Sequence, residues 1–364
     1  MQYQKSISQH DKLLGHRFIP NINVRINRPL YPYYVKTNTQ GFRSEFDYSL
    51  KKNSKKQRIL CFGDSFCAGD GVSNQYRISD LVMKSLDVEV YNFGLPGSGN
   101  DHHVLIRENL ACEYDFDAII LIFYIADIRR NLRSYRIFNS PEVGFGIKVP
   151  KPYFENIEDE LILRNVPTNS WRRQQRLNDS PNIWSNAVQR ILPLLYRANY
   201  DWGNVVYQRF FGTHLCVAEY SNPGSQSWKL MNSLLERFIR SSKGRHTFLI
   251  PIPHSDYVTR CLEPVYLERL TEFSSCQDNV HVIDVLPSLE AYSSKEKRNF
   301  FIPNDGHFTA KANEIISVKV STDIGSTMSL IKEHNSKSSL THQSRENDYL
   351  LGISCFYHDS AAAL

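Results

Sequence analysis

The sequence predicts a parallel α/β sheet of the doubly wound kind, and three observations lead there. Short apolar runs at 58–62, 88–93 and 118–125 read as strands buried on both faces; the last, Ala-Ile-Ile-Leu-Ile-Phe-Tyr-Ile, is the strongest β signal in the chain. The first two end in glycine, at Gly63 and Gly94, and the third ends in Ala126-Asp127. Between them, 79–86 carries spaced apolar side chains at Leu81, Val82 and Leu86, and 101–111 reads as a second helix. Strand, helix, strand, helix, strand is the pattern of right-handed crossovers within one parallel sheet.

Taken in order, the chain begins with an arm. Residues 13–23 are interrupted by Gly15 and Pro20, and 34–43 reads as a strand and turn. A lysine-rich connector, 51–57, leads into the first core strand, so 1–56 is expected to lie as an extended arm on a main domain spanning 57–322. The alternation resumes late, with a fourth strand at 246–252, a helix at 257–273, a fifth strand at 280–286 and a closing helix at 310–322.

Between the third and fourth strands lies an insertion, 131–243, too long for a plain connection. It holds Pro150, Pro152, Pro167 and Pro181, the basic run Arg172, Arg173 and Arg176, and Trp171, Trp184, Trp202 and Trp228. It is expected to be partly helical and to lie over the mouth of the sheet. Two readings stand side by side: a lid that sets substrate choice, or a packing subdomain with a solvated charged face.

Composition narrows the function. Hydrophobic residues at 41% and charged residues at 22% are ordinary for a globular protein, which excludes disorder throughout. A net charge of +5 with scattered basic residues argues against nucleic acid as a partner. The first ten residues have no apolar h-region and no later run approaches the ~20 residues of a membrane span, so a soluble, cytoplasmic protein is expected. Seven dispersed cysteines, without Cys-x-x-Cys or histidines at metal-ligand spacing, fit reduced thiols and no metal; no cofactor is expected either.

The stretch 58–71 reads as a strand delivering a serine to a carboxyl strand end, where ligands bind in such sheets. Gly63-Asp64-Ser65 taken alone is ordinary turn chemistry. It becomes a nucleophile only with a base and an oxyanion pocket elsewhere in the chain. Cys61 and Cys67 flank Ser65, and Cys61 is expected to pack within the strand. The base stands near the far end: His307 precedes the closing helix, with Asp305 two residues back. A carboxylate that orients an imidazole, which in turn takes a serine proton, is the logic of a Ser-His-Asp relay.

Gly63-Asp64-Ser65, Gly97 in Asn92-Phe-Gly-Leu-Pro-Gly97, Asp127, and Asp305-Gly-His307 occur in the order of the SGNH (GDSL-type) hydrolases, which the chain therefore resembles across its core. The stretch ending Lys36-Thr-Asn-Thr-Gln-Gly-Phe-Arg43 is similar to the arm that precedes Gly-Asp-Ser in one bacterial branch of that family. The resemblance implies a three-layer α/β/α sandwich of flavodoxin-like type and ester hydrolysis or acyl transfer. It makes Ser65 the nucleophile, His307 the base and Asp305 its orienting carboxylate, with the amides of Ser65 and Gly97 as oxyanion donors and Asp127 as a residue of the oxyanion or substrate-binding pocket. The family's Gly-Asn-Asp after the third strand reads Ile125-Ala126-Asp127 here, so the asparagine amide is replaced by a side chain that cannot donate. Asn100 and Asn131 are the two candidates to stand in for it, or else serve as a helix cap and a loop residue. The acid lies two residues before His307 rather than three, where Asn304 stands.

Residues 323–348 turn polar and serine-rich and read as a linker. The last sixteen residues, 349–364, contain Ile-Ser-Cys-Phe-Tyr-His358-Asp359-Ser360-Ala-Ala and resemble the opening strand and turn of the O-carbamoyltransferases of nodulation and antibiotic tailoring. A first hairpin cannot catalyse alone, so a truncated fusion or a reading frame entering a neighbouring gene is expected, with carbamoylation as a linked step. Three functions are thus in view. The first is a serine esterase or O-acyltransferase acting on a small, acetyl-like ester of a saccharide or secondary metabolite. The second is a binding-only relative that uses the tryptophans as stacking faces, and the third a fragment of a carbamoyltransferase fusion.

Overall fold

Five parallel strands order the core, in the sequence β13-β12-β7-β5-β6, in a computed structural model that describes residues 7–27, 31–52, 55–140, 144–158, 160–169, 217–303 and 305–338, with backbone only at 137–140, 144–148 and 330–338. The strands are β5 (Arg58–Gly63), β6 (Glu89–Asn92), β7 (Ala118–Tyr124), β12 (His246–Ile252) and β13 (Val280–Val282). Every residue of β5 is buried, as are all but the last of β7 and all but the first of β12. Side chains alternate between faces, so these strands are covered on both sides, which is why they read as unbroken apolar runs. The fold is the α/β arrangement with a central parallel sheet flanked by helices.

The crossover helices are α2 (Ile78–Leu86) and α3 (Asn100–Asn109), followed after β7 by the short α4 (Asp127–Asn131). The helix that returns the chain to β12 is α5 (Gln226–Arg240), which packs on α3 and α4 and is capped by the Ser225 hydroxyl accepting the Trp228 amide at 3.2 Å. The insertion therefore ends earlier than the sequence predicts, because 226–240 belongs to the sandwich. The stretch 131–243 is thus partly helical, through α5 and a 3-10 turn at Ala218–Tyr220, and its other described elements are two antiparallel hairpins, β8 (Tyr135–Ser140) with β9 (Gly144–Pro150) and β10 (Tyr153–Ile157) with β11 (Glu160–Arg164). Trp228 is buried with its ring 5.7 Å from Tyr220, so it is a packing residue and not a stacking face. Trp171, Trp184, Trp202 and the basic run Arg172, Arg173 and Arg176 lie outside the described residues, and with them both readings of that stretch, lid or packing subdomain.

Three further expectations are corrected. The single helix expected at 257–273 is split into α6 (Ser255–Arg260) and α7 (Val265–Ser275), because Pro264 cannot continue a helix and biases Glu263 away from it. The fifth strand stops at Val282, and Leu286–Glu290 is helix α8, with Pro287 in its first turn. A short α9 (Ser294–Arg298) carries a capping box between Ser293 and Glu296. The closing helix α10 (Ala310–Ser338) runs through 323–338, where a linker was expected: Ile324, Met328 and Ile331 continue a helical spacing through the serines. The chain divides into two compact units, Met1–Ile324 and Gly325–Leu364, and the described part of the second is the helical run 325–338. The rest of the expected linker and the carbamoyltransferase-like 349–364 lie outside the described residues.

The arm is two small hairpins, β1 (Ser8–Gln9) with β2 (Arg17–Phe18) and β3 (Asn23–Ile26) with β4 (Tyr33–Lys36). Phe18, Ile26, Tyr33 and Val35 form a buried cluster with Ala68. The Arg43 side chain ties the arm down. It donates to Gly69 O and Val72 O at 2.8 Å and to Asn74 Oδ1 at 2.9–3.0 Å, and burial pushes its pKa down to about 10. Arg43→Met strands three buried acceptors, and at about 1–3 kcal/mol for each unsatisfied group it is expected to cost about 3 kcal/mol or more in urea unfolding.

Gly63 ends β5 where nothing larger fits. With φ at 155°, an added Cβ would lie 1.9 Å from the Ile122 carbonyl oxygen of β7. Gly63→Ala therefore forces two central strands apart and is expected to destabilise by about 3 kcal/mol or more, read by thermal unfolding.

Candidate active site

The loop that carries Ser65 is built at the carboxyl end of β5. Asp64 caps the four-residue helix α1 (Ser65–Ala68), its Oδ1 accepting the Phe66 amide at 2.9 Å, and Gly69, left-handed at φ 82°, closes it. Ser65 is the first residue of that turn and is 4% exposed. Asn92, at the end of β6, fixes the underside: its amide donates to Cys67 O at 2.8 Å and to Ser79 Oγ at 2.7 Å, while its Oδ1 accepts the Gly94 amide at 2.8 Å.

The histidine comes from a tight loop between α9 and α10. The Ile302 amide donates to His307 O at 2.8 Å, the Asp305 and Gly306 amides donate to Ile302 O at 3.1 Å, and Phe301 pairs with Phe308. His307 Nε2 lies 2.7 Å from Ser65 Oγ, and His307 Nδ1 is hydrogen-bonded to Asp305 Oδ1. A proton on Nδ1 directed at the carboxylate leaves Nε2 free to accept from the hydroxyl, which is the tautomer a general base requires. Phe66 packs against the imidazole with ring centroids 5.0 Å apart. Burial works against the imidazolium, but the hydrogen bond to Asp305 and the charges of Asp70, Asp305 and Asp64 outweigh it, holding the His307 pKa above the ordinary 6.5. Asn304 lies outside the described residues.

The third loop follows β6. The Leu95 amide donates to Gly63 O at 2.9 Å, joining this loop to the nucleophile strand, and the Ser98 amide donates to Leu95 O at 3.2 Å across a turn with Gly97 at φ 73°. Ser98 Oγ holds Leu95 O at 2.7 Å and His103 Nε2 at 3.0 Å. Among the described residues, the amides of Ser65 and Gly97 donate to no other group. The Arg136 guanidinium lies against Gly97, where an added Cβ would come within 3.0 Å of Nη2; burial and the neighbouring Arg130 lower the Arg136 pKa to about 10.

Ser65, His307, Asp305 and Gly97 thus share one end of the sheet. Asn131 and Asn100 do not serve the expected role: Asn131 Nδ2 donates to Asn100 Oδ1 at 3.1 Å, Asn131 Oδ1 accepts the Asn100 amide at 2.9 Å, and both side chains are buried. Asn100 Nδ2 is buried with no hydrogen-bond partner. Asp127 is also fully buried, its Oδ1 accepting from Arg130 Nη1 at 2.6 Å; burial, opposed by Arg130, pushes its carboxyl well above the usual range. It is therefore a support for Arg130 and not a substrate contact. Cys61 and Cys67 are buried beneath Ser65 with their sulfurs 3.5 Å apart, and burial raises the Cys67 thiol well above its ordinary value, against a nucleophilic role. Among the described residues no group of three or more His, Cys, Asp or Glu side chains is placed to hold a metal, and no helix is long and apolar enough to cross a membrane.

Arg130 escaped the sequence reading. The signal was present in Asp127-Ile-Arg-Arg130, a carboxylate and a cation three apart on a helix just after the third strand.

No protein-family model and no curated protein matches the chain. Among solved structures, it is similar to a member of the lipolytic protein G-D-S-L family from Veillonella parvula, at 14% identity over 72% of this chain and 95% of that one, TM-score 0.38. It is also similar to a lipase/acylhydrolase from Enterococcus faecalis, at 16% identity over 74% and 95%, TM-score 0.39. A third likeness is to an acetyl xylan esterase from Butyrivibrio proteoclasticus, at 9% identity over 77% and 66%, TM-score 0.37.

Proposed function

We propose that the chain is a serine esterase or O-acyltransferase acting on a small ester. The observation that carries this is the hydrogen bond of 2.7 Å between Ser65 Oγ and His307 Nε2, with Asp305 on the other ring nitrogen. Ser65 Oγ attacks the ester carbonyl as its proton passes to Nε2, forming an Oγ–C bond and an alkoxide that meets the Ser65 and Gly97 amides. The tetrahedral species collapses by breaking the bond to the leaving alcohol, which takes the proton from His307. Water, or an acceptor hydroxyl in the transferase case, then releases the acyl group by the same route in reverse.

An acetyl group on a saccharide or secondary metabolite belongs to the same proposal. It is supported by the run at 349–364 that resembles carbamoyltransferases, enzymes of tailoring chemistry. Binding without turnover is disfavoured by the relay's geometry and by the burial of Trp228, one of the four expected stacking faces. The test is labelling of the full chain by a fluorophosphonate, with the adduct mapped by peptide mass, alongside hydrolysis of p-nitrophenyl acetate. An adduct on Ser65 together with turnover supports the reading; turnover without an adduct on Ser65 overturns it.

A further inference from the structure

We propose that the Arg130 guanidinium is the side-chain oxyanion donor of this site, doing from α4 what no side chain does from position 126. The inference rests on the acyl-transfer reading above and extends it to a residue outside the relay. Two loops bound the place where negative charge develops, one carrying the Ser65 amide and the other the Gly97 amide. Arg130 bridges them: Nη1 lies 3.4 Å from Oδ2 of Asp64, the residue before Ser65, and donates at 3.2 Å to O of Ser98, the residue after Gly97. The same nitrogen donates to Asp127 Oδ1 at 2.6 Å, so the cation is anchored from below by a carboxylate on its own helix.

Every one of these bonds uses Nη1. The Arg130 Cζ lies 6.0 Å from the Tyr124 ring centroid, and 32% of the side chain is exposed. Asn100 Nδ2, the side-chain donor the sequence offered, is sealed from solvent. A guanidinium hydrogen-bonded to the buried Asp64 and Asp127 side chains is also preorganised, so it does not have to move when the carbonyl oxygen becomes an alkoxide. No bond is made or broken at Arg130; it stabilises the alkoxide through N–H donation alone.

The test compares Arg130→Met, Ala126→Asn and the double variant by steady-state hydrolysis of p-nitrophenyl acetate and by the rate of fluorophosphonate inactivation, whose phosphonyl oxygen occupies the same place. Arg130→Met is expected to lower kcat about 10²- to 10³-fold with KM little changed, and to slow inactivation in proportion. Ala126→Asn is expected to restore about tenfold or more in the Arg130→Met background and little in the wild type, a non-additivity that follows from two donors serving one oxygen. A purely structural role for Arg130 is not rescued by a neutral amide at 126. Where Arg130→Met alone fails to fold because it strands the Asp127 carboxylate, Asp127→Asn/Arg130→Met carries the same comparison. Arg130 variants that turn over within about threefold of wild type while Ser65 still labels overturn this inference alone, as does an equal gain from Ala126→Asn in both backgrounds. A wild-type chain that neither labels at Ser65 nor turns over overturns the acyl-transfer reading and this inference with it.

Discussion

Ser65→Ala is expected to lower hydrolysis of a small acetyl ester by about 10⁶-fold in kcat and to abolish fluorophosphonate labelling, because it removes the only atom that attacks. The hydroxyl is placed to do so: it lies 2.7 Å from His307 Nε2 and stands at the first position of a turn whose own amide is uncommitted. His307→Ala is expected to cause a loss of similar size. The double variant should be no worse than either, since nucleophile and base act as one unit and their effects do not add. What remains comes from whatever binds and stabilises the oxyanion without the relay. The measurement is kcat and KM for all three variants, with circular dichroism to confirm the fold. Two single losses that multiply in the double variant would show that Ser65 and His307 act in separate steps, and a Ser65→Ala chain with undiminished turnover would place the nucleophile elsewhere.

The parts of this site legible in the sequence are those carried by short local patterns. An apolar run of strand length announces a buried strand, and β5, β7 and β12 lie within a residue of where their runs begin and end. Gly63 and Ser65 stand at the junction of a strand end and a helix start, and Gly97 and the Asp305-x-His307 pair on loops, where chemistry concentrates and spacing is short enough to read. Contacts made across the fold were not legible. Asn100 and Asn131 each looked available until the structure paired them, through bonds between residues thirty-one apart that no local spacing announces. Asp127 looked like a substrate contact for the same reason, and its burial follows only from the packing of α4 against α3 and α5. Arg43 is the clearest case: the sequence shows it only as the end of the 34–43 strand and turn, yet its side chain reaches carbonyls in the loop after α1. The helix read straight through Pro264 is a local error instead, since proline marks the boundary and the apolar spacing ran past it.

Asp305→Asn is expected to lower kcat about 10⁴-fold near neutral pH and to move the acid limb of the kcat/KM profile downward. The rate effect comes from the tautomer: an asparagine amide presented to Nδ1 favours the proton on Nε2, where it blocks acceptance from Ser65. The pH effect has a definite sign. In the native site the hydrogen bond to Asp305, with Asp70, Asp305 and Asp64 as nearby charges, overcomes desolvation and raises the His307 pKa above 6.5. The imidazole must be neutral to act as base, so activity climbs with pH through a midpoint above the ordinary histidine value. Removing the carboxylate deletes the largest of the raising contributions and leaves burial, which lowers the pKa, so the midpoint falls. The same equilibrium acts on stability in the opposite direction. A raised histidine pKa favours the folded state in full below the unfolded pKa of about 6.5 and loses that contribution as pH passes the folded value. The thermal midpoint should therefore decline across the window in which wild-type activity rises, and Asp305→Asn should flatten that decline. Rate profiles and thermal scans between pH 5 and 9 on both proteins decide it: an acid limb that stays in place when Asp305 is neutralised would mean that another group sets it.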